Sequence, residues 1–212
     1  MPENLSKTCR ACGATVPEGN FCVSCGAPLT SSQTSAPSAE QRHLTVLFCD
    51  LVGSVALSES LGPETYLEVV RGFQTICTRA VDAFDGHVAQ YLGDGVLVYF
   101  GYPVAHEDDA RRSVLAGLSI LEVIATANEG AAADSQPQIA VRIGIHTGYA
   151  VAGEVGSGGT REDLALGQAP NTAARLQSVA APGTVVISNT VLRLVEGFFS
   201  VEELGPQRLK GF

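Results

Sequence analysis

From residue 43 onward, apolar runs alternate with segments of helical spacing, and that pattern predicts most of the elements. HLTVLFCD, residues 43–50, is apolar on both faces, as a central strand should be. Residues 63–84, PETYLEVVRGFQTICTRAVDAF, carry Leu67, Val70, Phe73, Ile76, Cys77 and Ala80 at helical spacing, with Pro63 near the start. HVAQYL and VLVYF flank a GDG tripeptide, which predicts two strands joined by a tight turn. HEDDARRSVLAGLSILEVIATA, 106–127, predicts a second helix with acids enriched at its start. IAVRIGIHTGYAVAGEVG predicts a strand and hairpin. PNTAARLQSVAA predicts a third helix with Pro170 at its first position, and GTVVIS a last strand. The fold class expected is α/β, an α+β sandwich of one mixed sheet with helices on one face. No internal repeat is evident.

Before residue 42 the pattern changes. CRACGATVPEGNFCVSC places Cys9, Cys12, Cys22 and Cys25 as C-x2-C, nine residues, then C-x2-C. Two such knuckles direct four thiolates at one ion, and zinc is the natural occupant; disulfides are the alternative, disfavoured because nothing suggests export. A segment this short cannot fold on an apolar core, so the metal would supply its stability. Residues 1–29 are expected to form this ribbon, 30–41 (TSSQTSAPSAEQ) a flexible linker, and 42–212 the main domain. Cys49 and Cys77 lie in apolar surroundings and read as packing residues.

Composition narrows the partners. A net charge of −9 and a pI near 4.8 argue against broad nucleic-acid binding, which needs a basic face. The ribbon itself is neutral, which suits protein contacts or regulation. MPENLSKTCR lacks an apolar signal-peptide core, and no apolar run approaches the roughly 18 residues of a membrane span. A cytoplasmic protein is expected.

The chemistry concentrates on two acids. Asp50 ends the first long strand and Asp94 sits in the GDG turn, so neighbouring strands would bring both carboxylates to one sheet edge. Two acids there repel unless a cation joins them, and hard oxygen donors favour magnesium or manganese. The LVGS that follows Asp50 leads into a helix, where outward backbone N–H groups can cradle phosphates. The plainer alternatives are that Asp94 is a turn residue and Asp50 a helix cap. In NTAAR, Asn171 and Arg175 are four apart and share a helix face. A fixed amide and a guanidinium there suit orientation of a sugar and stabilisation of a phosphoryl transition state.

FCDLVGS, YLGDGVLVYFG, VRIGIHTG and NTAARL, in this order and spacing, resemble the catalytic domain of class III nucleotidyl cyclases from about Arg42 to the chain end. The resemblance implies a ferredoxin-like βαββαβ core. It implies a homodimer with shared active sites that converts ATP to cyclic AMP and pyrophosphate. Asp50 and Asp94 match the family's ligands for two Mg²⁺ or Mn²⁺ ions per site, with the Leu51 backbone alongside. Asn171 and Arg175 match its ribose-orienting and transition-state residues, supplied by the partner copy. Arg142 and Lys210 match triphosphate contacts, and Val52, Gly53 and Ser54 the phosphate loop.

Two positions depart from that pattern. Gln90 stands where the family's purine-reading lysine would be, and Leu164 where its Asp or Thr partner would be. Asp163 is adjacent, but alternation along a strand would turn it to the other face. A guanylate or dual-specificity cyclase therefore stays open beside the adenylate reading. A catalytically idle nucleotide sensor is disfavoured by the complete set of Asp50, Asp94, Asn171 and Arg175. A GGDEF-type synthase lacks its longer acidic signature here, and charge disfavours a nucleic-acid factor. The abrupt LKGF ending suggests a piece of a larger signalling protein.

Overall fold

The structure is a computed structural model that describes residues 6–9, 11–17, 21–27, 40–133, 137–155 and 162–207. It divides into two compact units, Met1–Ser38 and Ala39–Phe212. The first contains β1 (Ser6–Thr8) and β2 (Thr15–Pro17), paired antiparallel. Residues 30–39 of the expected linker lie outside the described residues. Its last two positions are a correction, because the next strand already begins at Glu40.

The larger unit is built on β3 (Glu40–Leu51), β4 (His87–Leu92), β5 (Gly95–Phe100), β6 (Val141–Val155), β7 (Glu162–Leu166) and β8 (Thr184–Ile187). They form one mixed sheet in the order β4-β5-β3-β6-β7, with β8 parallel to the start of β6. Its helices are α1 (Ser54–Leu61), α2 (Pro63–Asp82), α3 (Asp109–Ala133), α4 (Gln168–Val179) and α5 (Asn189–Leu194). The strand order and the crossovers through α2 and α3 give the ferredoxin-like βαββαβ core.

The central strand β3 is apolar on both faces because both faces are covered. Leu47, Cys49 and Leu51 face α2 and α3, where they meet Phe73, Cys77 and Val81, and Val114, Ile120 and Ile124. Leu44 and Val46 face the opposite way, into a second cluster with Leu97, Tyr99, Ala169 and Ala173. That cluster corrects the expectation of helices on one face, because α4 covers the other. It can do so because Gly144 lets the α4 backbone sit directly on β6. A Cβ on Gly144 would fall 2.2 Å from the Gln177 nitrogen and 2.3 Å from the Ala173 carbonyl oxygen. Inside the sheet the buried Thr45 and Thr147 hydroxyls, partners across β3 and β6, satisfy each other at 2.8 Å.

Other boundaries moved for local reasons. Gly62, at φ +74°, separates α1 from α2. Pro170 is the third residue of α4 rather than the first. The segment expected as a strand and hairpin is one fifteen-residue strand, β6, with β7 returning along it. In α3, residues 109–131 are long and apolar enough to cross a membrane by length and composition, contrary to expectation. Ala110, Val114, Ala116, Ile120 and Ile124 of this helix are buried in the core.

Candidate active site

Asp50 sits near the end of β3 between two cross-strand partners, Gly95 on β5 and Arg142 on β6. Partners in a ladder share a face, so Asp50 and Arg142 both point to the α4 side. Asp94 occupies the turn between β4 and β5. Gly93 before it takes φ +68°, the sign pattern of a type II′ hairpin that glycine adopts without steric cost. Two bonds hold this turn: the Asp94 carbonyl accepts from the Leu51 N–H at 3.2 Å, and the Gly93 carbonyl accepts from the Gln74 side chain at 3.2 Å. The structure thus brings together the two acids that sequence separated by 43 positions.

The acids feel each other. Burial, and then the charge of Asp94, push the Asp50 carboxyl up to about 6, while the Leu51 N–H and Arg142 pull the other way. Asp50 is not a helix cap: Gly53, at φ +67°, begins α1, and no side chain caps it. Of the three loop residues expected to meet phosphate, Val52 has its N–H committed to the Ala140 carbonyl at 2.8 Å. Gly53 and Ser54 keep the role open at the uncapped start of α1. Arg142 keeps its Nε buried with no hydrogen-bond partner among the described residues, as expected of a group that waits for an anion.

Two further side chains reach the acids, and sequence spacing does not single them out. Gln177 of α4 donates its amide to Asp50 at 3.5 Å. Tyr66 of α2 lies near Ser54, and burial, then the charges of Asp94 and Asp50, raise its phenol above the usual value. The Gln177 contact comes from packing between elements far apart in sequence, whereas Tyr66 lies only 12 residues beyond Ser54 and feels the acids by charge.

Asn171 and Arg175 lie elsewhere. Gln177 is the α4 residue that faces Asp50. Asn171 is six residues back, about 9 Å along the helix and roughly 240° around it, and Arg175 is roughly 200° around. Neither is turned toward the acids of its own chain. The Asn171 amide donates to the Gly167 carbonyl at 3.1 Å, which fixes its orientation.

Gln90 reaches the acid-bearing face through a β-bulge. The register slips between Val88 and Gln90, so Gln90 pairs with Leu97, whose side chain belongs to the α4 face. Without the extra residue Gln90 would point toward α2. Leu164 lies opposite Gly153 in β7, and β7 approaches β4 in the same chain. Lys210 lies outside the described residues.

In the N-terminal unit, Cys9, Cys12, Cys22 and Cys25 place their sulfurs within 4.8 Å of one another. Cys9–Cys25 and Cys12–Cys22 are each 3.7 Å apart. A zinc ion with bonds of about 2.3 Å sets tetrahedral edges of roughly 3.8 Å, so the donor set fits zinc. The two knuckles repeat one pattern, C-x-x-C-G-A, contrary to the expectation of no internal repeat. In each, the first cysteine N–H donates to the alanine carbonyl and the glycine N–H donates back to the first cysteine. Gly13 and Gly26 both take φ near +74° to allow it (+74° and +73°).

Comparison with known proteins agrees with this geometry. The model of the family described as adenylate and guanylate cyclase catalytic domain matches residues 36–212. Adenylate cyclase 1 of Rhizobium meliloti is 28% identical over 185 residues, covering 86% of this chain and 28% of its own length. The solved adenylyl cyclase CyaB of P. aeruginosa superposes with a TM-score of 0.77 at 26% identity, over 82% of this chain and 90% of that one. The solved guanylyl cyclase Cya2 does so with a TM-score of 0.71 at 28% identity, over 80% and 89%. The chain spans only 17 to 38% of the length of three curated relatives.

Proposed function

The chain belongs to the family of adenylate and guanylate cyclase catalytic domains, and from that premise we propose that it converts ATP to 3′,5′-cyclic AMP and pyrophosphate at a site shared between two copies of itself. The observation that carries the reading is the pair Asp50 and Asp94, held at one sheet end so closely that one raises the pKa of the other.

Such a pair is relieved by a divalent cation, and the hard carboxylates with the Leu51 carbonyl suit Mg²⁺ or Mn²⁺. Asp50 and Asp94 would hold two such ions, whose chemistry there would be to lower the pKa of the ribose 3′-hydroxyl and neutralise phosphoryl oxygens. The rest falls to the protein. Gly53 and Ser54 offer backbone N–H groups to the phosphates at the start of α1. Arg142 and Lys210 hold the triphosphate by charge. Asn171 accepts from the ribose through the amide oxygen that its own hydrogen bond leaves available. Arg175 offsets charge that develops at the α-phosphate. A bond forms between the 3′-oxygen and the α-phosphorus, and the bond to the departing pyrophosphate breaks.

Asn171 and Arg175 face away from the acids of their own chain, so each would serve the acids of a second copy. Gln90 and Leu164 sit on strands that approach each other in one chain, where they would meet the purine. Because neither is the usual residue, a second reading is kept: GTP is also a substrate. The four-cysteine unit would hold a structural zinc ion, as a ribbon of residues 1–29 that folds apart from 42–212. A cytoplasmic site of action suits a nucleoside triphosphate substrate and reduced cysteines.

Purified full-length chain with Mn²⁺ or Mg²⁺ and either ATP or GTP tests the proposal. Cyclic nucleotide and pyrophosphate in equal amounts are expected. No product above that of Asp50→Ala protein, with either nucleotide, would refute it.

A further inference from the structure

Behind the Asp94 turn, on the side away from α4, α2 and β4 enclose a groove of about 510 Å³. It is lined by Arg71, Gln74, Thr75, Thr78, Arg79 and Tyr91. Two arginines and no acid line it, in a chain whose net charge is −9. Neither Arg71 nor Arg79 has an ion-pair partner among the described residues, whereas Arg112 of α3 is paired to both Asp85 and Asp108. Arg71, Thr75 and Arg79 follow at four-residue steps, so they form one stripe with neighbours about 6 Å apart. Both guanidiniums can therefore reach over Thr75.

The hydroxyls between them offer no protons to a ligand. Thr75 donates to the Arg71 carbonyl at 2.8 Å and Thr78 to the Gln74 carbonyl at 2.8 Å. Thr78 and Tyr91 are 2.6 Å apart, and with the Thr78 proton already given away, Tyr91 must donate to Thr78. The donors left to a ligand in this groove are thus its two cationic forks and the second hydrogen of the Gln74 amide. Two guanidiniums on one helix face, in a groove that no acid lines, match phosphate oxygens, which each can bind in a bidentate way.

We propose that this groove binds a phosphate-bearing small ligand, with Arg71 and Arg79 as the anion-binding residues, at a site distinct from the Asp50–Asp94 pair. Gln74 couples the two places. It lines the groove, and its side-chain amide holds the Gly93 carbonyl beside Asp94. An anion that draws on Arg71 or the Gln74 amide therefore perturbs the turn that carries the acid.

The test is an amide NMR titration of the full chain without added Mg²⁺ or Mn²⁺ and without chelator, so that no such cation engages the acids while zinc stays on the four cysteines. Inorganic pyrophosphate and adenosine monophosphate are the two probes, added separately. Saturable shifts are expected at residues 71–79 and at Gly93, and R71Q/R79Q should weaken the binding at least roughly tenfold. Arg193→Gln, an exposed arginine on α5, should leave it unchanged. Tighter binding of pyrophosphate assigns an inorganic ligand, and tighter binding of the monophosphate assigns an ester; either supports the site. No shift at millimolar probe, shifts confined to Gly53, Ser54 and Arg142, or equal binding by R71Q/R79Q protein with an intact spectrum would overturn it.

Discussion

Gln177 rests on Gly144 so closely that no Cβ fits between them, and the same glutamine extends its side chain to Asp50. One helix position thus fixes both the height of α4 above the sheet and a contact to the first acid. Gly144→Ala should push α4 outward and cost about 1–3 kcal/mol by overpacking. Because Asn171 and Arg175 ride on that helix, nucleotide turnover should fall at least roughly tenfold, as misplacement by about 1 Å can. Gly72→Ala is the control. It stands inside α2 with nothing within 4 Å of a Cβ and no positive φ, and should gain about 0.5–1 kcal/mol. Urea unfolding and turnover of both variants check this pair.

The Asp50 carboxyl titrates near 6 in the folded chain, against 3.8 for an unperturbed aspartate. Folding raises this pKa, so between about pH 4 and 6 the folded chain binds more protons than the unfolded one. Stability contributed by this group is therefore lost as pH rises through that window. Without added Mg²⁺, Mn²⁺ or chelator, Asp50→Asn should melt higher than wild type at pH 8 and show no advantage at pH 4. Mg²⁺ or Mn²⁺ should raise the melting temperature of wild type and not of the variant. An Asp50→Asn protein no more stable than wild type at pH 8 would mean that neither burial nor Asp94 strains the charged carboxylate there.

The strands 43–50, 87–92 and 95–100 and the Asp94 turn were legible because runs of apolar residues and the GDG tripeptide act locally. The fit of the four cysteines was legible from spacing. What sequence could not show were relations fixed by pairing at a distance. The β-bulge at Ala89 decides which face Gln90 meets, and no local pattern marks it. The placement of α4 on its own face depends on the missing Cβ at Gly144, and no local pattern shows which backbone will rest on that glycine. Gln177 meets Asp50 only because α4 packs on the sheet, which nothing local to position 177 marks.

If the site is shared between copies, Asp94→Ala and Arg175→Ala proteins, each inactive alone, should recover activity when mixed. A mixed dimer holds one site with both lesions and one with none, so recovery approaches about a quarter of wild type for random pairing. Asp94→Ala with Asp50→Ala should not complement, since both remove acids of the same half. Mixed dimers shown by two affinity tags yet without activity would place all four residues in one chain.

The four sulfurs should bind one zinc ion per chain, measured by elemental analysis of protein prepared without chelator. Cys9→Ser with Cys25→Ser should abolish it. Residues 42–212 expressed alone should unfold cooperatively at a temperature close to that of the full chain, because the metal stabilises only the short unit. Loss of folding in that fragment would mean that the ribbon supports the catalytic unit.

The choice of purine is where this chain departs most from its family. A lysine at position 90 could only donate a hydrogen bond, which suits the ring-nitrogen acceptors of adenine. Glutamine offers a donor and an acceptor on one rotatable amide, so it can meet adenine or the reversed edge of guanine. Leucine at 164 has no polar side-chain group that a wrong base would leave unpaired. Unpaired buried groups underlie the strongest discrimination, on the order of 10⁴-fold, and without them selectivity should drop more than rate. Wild-type protein should therefore prefer ATP yet turn over GTP measurably. Gln90→Lys with Leu164→Asp should sharpen the preference for ATP, chiefly by lowering kcat/KM for GTP. Both constants, measured for both nucleotides in both proteins, decide it. A wild type already as strict as the double variant would assign base reading to other groups, such as backbone carbonyls of β7.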